Sequence, residues 1–120
     1  LIMEQFENAK RLRILVCEHD HVGPRPLYET IVLKAKQLGL SGATVYRGMM
    51  GFGCRNHLHR KEVLRLSTDQ PVVVEITDSD ELIQRILPFV EEFVHGGLVT
   101  IEDVTVLRQT CHLPDLVTSN

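Results

Sequence analysis

Two runs that read as buried strands, residues 11–18 and Pro71–Asp78, are each followed by an amphipathic helical stretch and then by another strand-like segment. In the first, Ile14-Leu15-Val16-Cys17 is a short apolar run after alternation, the pattern of a strand inside a core. In the second, Val72, Val73, Val74 and Ile76 supply β-branched side chains that suit a pleated surface. The stretches that follow change period. Leu27, Tyr28, Ile31, Val32, Ala35 and Leu38 share one helical face, and Gly39 is placed to end it. Ser79 is set as an N-cap with Asp80 and Glu81 in the first turn. Leu82, Ile83, Ile86, Leu87, Val90, Phe93 and Val94 then form a second apolar face. Pro88 removes a backbone donor inside this helix and predicts a bend, and Gly96-Gly97 predicts its end. Residues 43–47 and 98–109 complete the two units, the last strand with a break expected at Glu102-Asp103.

The order β-α-β, long connection, β-α-β predicts an α+β fold: a ferredoxin-like βαββαβ sandwich, its antiparallel sheet covered by two helices on one face, with right-handed crossovers. Val72, Val74 and Ile76 alternate with Val73, Glu75 and Thr77, so the uncovered sheet face is only partly apolar. Burial against sister subunits resolves this, and a homo-oligomer is expected. The 23 residues 48–70 separate strands two and three, too many for a tight hairpin turn. Within them residues 57–64 suit a short helix, while the alternation around Leu64 and Leu66 equally suits an extension of the second strand.

At 120 residues and 43% hydrophobic the chain has material for one compact core. The domain is expected over residues 11–109, with an N-terminal extension over 1–10 and a tail over 110–120. A net charge of -3 argues against a general nucleic-acid binder. Charge is nevertheless segregated: residues 47–65 carry a local +4 and residues 75–103 a local -7. A solvated surface explains both; a positive segment serving an anionic ligand is the sharper reading. Cys17, Cys54 and Cys111 are odd in number, widely spaced and free of any CxxC, so reduced thiols and a cytoplasmic setting are expected. No apolar run approaches the roughly 18 to 20 residues that cross a bilayer.

The chemistry-bearing candidates centre on Arg47-Gly48-Met49-Met50-Gly51-Phe52-Gly53. Gly48, Gly51 and Gly53 suit either a strand irregularity at a close contact or a backbone nest for phosphate. Their spacing is not a dinucleotide fingerprint. Phe52 suits stacking on a base or a subunit contact. Arg47 and Arg108 have the forked donors that grip phosphate, or else pair with surface carboxylates. Gly96-Gly97 suits helix termination or a phosphate-facing turn. His57-x-His59 and His19-x-His21, with Asp20, Cys54 and Cys111-His112, raise a metal site, but neither spacing nor ligand number assembles one. Cys54 lies near His57 and His59 without a third orienting group, and the chain reads as non-enzymatic.

Four stretches carry a resemblance: residues 26–29, 42–53, 66–78 and 97–100, including the R-G-x-x-G-F-G motif and, downstream of it, His59. Together they resemble a bacterial PII-like family known as a domain of unknown function, over roughly residues 11–108. The resemblance implies a trimeric, ferredoxin-like PII-like regulatory protein with a small effector, usually an adenine nucleotide (ATP, ADP or AMP), in clefts between subunits. It implies ligand contacts from the motif residues Arg47, Gly48, Gly51, Phe52, Gly53 and His59, to which Arg108 is added for its forked donors, with main-chain donors at Gly96, Gly97, Leu98, Val99 and Thr100. It implies that residues 49–65 form the long loop that contacts a protein partner such as a membrane transporter. The basic residue of the PII phosphate loop has no counterpart between Gly96 and Thr100, and Glu102 and Asp103 set an unfavourable field for phosphate. The PII tyrosine-modification sequence is absent, so uridylylation is not implied. The alternative is a CutA-like trimeric metal-binding protein using His57 and His59.

Overall fold

A four-stranded antiparallel sheet carries two helices on one face. The computed structural model describes residues 7–51 and 70–107. In chain order the elements are β1 (Glu7–Cys17), β2 (His21–Val22), β3 (Arg25–Pro26), α1 (Leu27–Gln37), β4 (Thr44–Arg47), β5 (Pro71–Asp78), α2 (Asp80–Phe93) and β6 (Leu98–Val106). The main sheet has the order β4-β5-β1-β6, and β2 and β3 form a separate small hairpin. This is the expected ferredoxin-like arrangement, with the two parallel-type crossovers made by α1 and α2.

Alternation along β1 and β5 builds the core. Leu12, Ile14 and Val16 from β1, with Val72, Val74 and Ile76 from β5, are at most 2% exposed. They meet Leu27, Ile31 and Ala35 of α1 and Ile83, Ile86 and Val90 of α2. Each buried Leu, Ile or Val side chain contributes about 1.5–3 kcal/mol. Helix α1 stops where expected, with Gly39 at φ +90°, a conformation costly for side chains with a Cβ. Helix α2 opens on Ser79, whose Oγ accepts from the Leu82 N–H at 3.2 Å.

The structure differs from the sequence reading in several places. Strand β1 begins at Glu7 rather than Arg11, because its polar start pairs with β6, Glu7 opposite Val106 and Lys10 opposite Asp103. Strand β6 runs unbroken through Glu102-Asp103. Cations across the ladder remove the expected repulsion: Arg11 donates to Glu102 at 2.6 Å, and Lys10 pairs with Asp103. Pro88 sits inside a continuous α2. That helix ends at Val94, which is extended at φ -102°, ψ 105°, so Gly96 and Gly97 are not its left-handed cap. Residues 18–24 are not merely a loop, since Gly23 at φ +61° turns β2 into β3. Cys17, expected as a reduced thiol, is buried and disulfide-bonded, with the second thiol outside the described residues. Sequence spacing alone does not tell which thiols a fold brings together. The helix-or-strand question at residues 57–64 also lies outside them.

Candidate functional site

The register of the sheet places the two candidate regions. Strand β4 pairs with β5 so that Arg47 faces Val72, and the Gly48 N–H continues the ladder by donating to the Pro71 carbonyl at 2.7 Å. The chain then curls around the Pro71 ring. A Cβ on Gly48 would stand 2.8 Å from Pro71 Cγ, and one on Gly51 would stand 3.2 Å from it. The first two glycines of the motif therefore answer a close packing contact, which favours the strand-irregularity reading over a free nest. Between them, Met49 and Met50 are 94% and 71% exposed.

At this corner Arg47 Nη2 lies 2.5 Å from Glu18 Oε2. Glu18 follows the last residue of β1, and Cys17 is opposite Pro71. Its own N–H donates to the Gln70 carbonyl at 2.9 Å, and its Oε1 accepts a longer bond from the Gln70 N–H at 3.4 Å. Glu18 was not singled out from sequence; the only signal for it was its place at the end of the first strand, where β1 must meet the start of β5.

The second region lies at the start of β6. Leu98 pairs with Leu15 and Thr100 with Arg13. Gly97 crosses β1 so closely that a Cβ would meet the Leu15 carbonyl oxygen at 1.9 Å. Beyond it Leu98, Val99 and Ile101 are exposed at 58%, 38% and 44%.

Both regions sit at the same end of the sheet, where β1 and β4 finish and β5 and β6 begin. They occupy opposite edges. With the order β4-β5-β1-β6, three strand spacings of about 4.8 Å, roughly 14 Å in all, separate them. Arg47, Gly48 and Gly51 are thus brought together, as are Gly96, Gly97, Leu98, Val99 and Thr100, but the two sets do not share a cleft within one chain. Phe52, Gly53, His59 and Arg108 lie outside the described residues, as do Cys54, His57, Cys111 and His112.

The open face of the sheet carries a polar network from edge to edge. Arg13 donates to Tyr46 Oη at 3.2 Å and pairs with Glu75 at 3.1 Å, while Arg11 bridges Glu102 and, at 3.9 Å, Glu75. The Tyr46 contact raises the Arg13 pKa, and the bond to Asp103 raises that of Lys10. At the far end of the sheet a cleft of about 480 Å³ is lined by Asn8, Lys10, Asp80 and Asp103, among others. Among the described residues no group of three or more His, Cys, Asp or Glu could hold a metal ion. His21 Nδ1 instead lies 2.5 Å from the His19 carbonyl oxygen. No helix among the described residues is long and apolar enough to cross a membrane.

Residues 9–106 match the family DUF190, described as "Uncharacterized ACR, COG1993". The chain belongs to the DUF190 family. Relatives agree with this: a UPF0166 protein of Aquifex aeolicus is 40% identical over 100 residues, covering 82% of this chain and 92% of its own. The UPF0166 protein MJ1524 of Methanocaldococcus jannaschii is 38% identical over 101 residues, covering 83% and 93%. Among solved structures, CPII of Thiomonas intermedia K12 bound to ADP, AMP and acetate superposes with a TM-score of 0.61 at 22% identity, covering 86% of this chain and 92% of CPII. A protein described as PII-like and signalling, from Thermus thermophilus, gives 0.60 at 22% identity, covering 85% and 92%. At these identities the likeness is one of fold, and the DUF190 chain has the PII-like fold.

Proposed function

We propose that this DUF190 protein is a PII-like regulator that works by binding rather than catalysis, taking an adenine nucleotide in clefts between the subunits of a trimer. One observation carries the reading: the two sets of candidate residues stand at the same end of the sheet but on opposite edges, about 14 Å apart. Each set is half a site, which the facing edge of a neighbouring copy completes. Val45, Tyr46, Met49 and Met50 on the β4 side and Leu98, Val99 and Ile101 on the β6 side give both edges exposed apolar surface. A head-to-tail contact between unlike edges closes into a ring when its rotation is right.

In such a cleft Arg47 grips phosphate, the main chain from Gly96 to Thr100 supplies N–H donors, and Phe52, Gly53, His59 and Arg108 add contacts. The ADP and AMP held by CPII, a protein of the same fold, support a nucleotide as the effector. Pairing of Glu102 with Arg11 and of Asp103 with Lys10 weakens the field that these carboxylates would otherwise set against phosphate. Residues 49–65 act as the loop that meets a protein partner such as a membrane transporter. A ligand shifts that loop through its differential affinity for the loop's states. A thermal-shift panel of ATP, ADP, AMP and cyclic AMP tests the reading. At a hundredfold excess over Kd, a bound nucleotide stabilises by about 2.7 kcal/mol, and a flat response to all four rejects it.

A further inference from the structure

Arg47 is already occupied. Its guanidinium is 57% exposed, whereas the Glu18 carboxylate it meets at 2.5 Å is only 23% exposed. Glu18 is held from behind by the start of β5, through Glu18 N–H to Gln70 O at 2.9 Å and Gln70 N–H to Glu18 Oε1 at 3.4 Å. The acid is thus the anchored member of the pair and the arginine the solvent-facing one. An anion reaching this corner meets a cation whose charge is neutralised by a fixed carboxylate.

We propose that Glu18 is a specificity-determining residue of this corner, an internal competitor for Arg47 that an incoming anion must displace. The inference rests on Arg47 being a ligand group. A monoanionic ligand exchanges one carboxylate-like partner for another and gains little. A di- or triphosphate offers more charge and several acceptor oxygens to the forked donor, so it displaces Glu18 where a weaker anion does not. The displaced carboxylate stays anchored beside the ligand, where its repulsion grows with the ligand's charge, so Glu18 holds back the polyphosphates that displace it and narrows their advantage over AMP. Because the guanidinium is largely solvated, the internal pair is a modest barrier, equivalent to about a two- to fivefold change in affinity.

The test is calorimetric titration of AMP, ADP and ATP into wild type, Glu18→Gln and Glu18→Asp, each checked for folding by circular dichroism. Glu18→Gln should tighten ADP about two- to fivefold, with a larger gain for ATP than for AMP. Glu18→Asp, whose carboxylate is drawn back by one methylene, should show the same trend more weakly and serves if the glutamine variant does not fold. A purely structural role for Glu18 would weaken all three nucleotides together. Unchanged or weakened binding in the variants, with wild type binding normally, overturns this inference alone. No binding to wild type or to either variant overturns it together with the nucleotide reading. Binding gained only in the variants supports it.

Discussion

The main chain of Gly97 crosses that of Leu15 so closely that a Cβ at position 97 would lie 1.9 Å from the Leu15 carbonyl oxygen. The neighbouring Gly96 has nothing within 4 Å of the same imaginary atom. One glycine of the pair is therefore required by backbone packing at the start of β6, and the other is not.

Adjacent substitutions should accordingly diverge. Gly97→Ala forces β6 away from β1 and should destabilise by at least about 2–3 kcal/mol, the upper range for overpacking. Gly96→Ala should stay within about 0.5 kcal/mol of wild type. Urea denaturation of the two variants reads the difference, and equal midpoints would contradict the close crossing.

Asp78, at the end of β5, is 6% exposed and accepts from the Ser41 and Ser79 N–H groups, both at 2.8 Å. It ties the approach to β4 and the start of α2 to the central sheet. Asp78→Ala leaves those donors unsatisfied, each a loss of about 1–3 kcal/mol. A destabilisation of about 3 kcal/mol is expected, whereas Glu92→Ala on the exposed face of α2 should scarcely move the denaturation midpoint.

The Lys10 ammonium should titrate above its ordinary value of 10.5, because its hydrogen bond to Asp103 and that residue's charge favour the protonated form. A raised folded-state pKa gives a contribution to stability that is fully present below 10.5 and lost as pH rises through the folded value. Between pH 7 and about 9 this contribution should therefore be constant, so the pair adds no pH dependence to stability in that window. Carbon-13 NMR of the lysine Cε should locate the transition, and Asp103→Asn should return it toward the ordinary value.

Much of the fold was legible because its signals are local. Pro71–Asp78 alternates between buried and half-buried positions along its whole length, and the apolar faces of α1 and α2 fall on the helical period that the sequence displays. The extent of β1 and the continuity of β6 were not legible, because both depend on partners about ninety positions away: Lys10 with Asp103, Arg11 with Glu102. The site was read by motif, but Gly48 and Gly51 pack closely on Pro71, and Gly97 on the Leu15 carbonyl. Glu18 was missed for the same reason: its meaning comes from the register of β1 on β5 and from Arg47, 29 residues along the chain, not from its neighbours in sequence.

The exposed apolar edge of β6 offers a separable test of assembly. Ile101 is 44% exposed and points to the helix side of an edge strand, so Ile101→Lys should leave the fold intact. A lysine on an edge opposes pairing with another chain. Light scattering should show the variant shifted from the proposed trimer toward monomer, with an unchanged circular dichroism spectrum; an unaltered mass would remove β6 from the proposed contact.

In the proposed assembly the two half-sites are joined between copies around an adenine nucleotide. Calorimetric titration of ADP, at a concentration where light scattering reports the mass, tests it most directly. The proposed trimer should appear as a particle of about three 13.6 kDa chains, with saturable heat approaching one site per chain. A monomer that gives no saturable heat with ADP, ATP or AMP would contradict it.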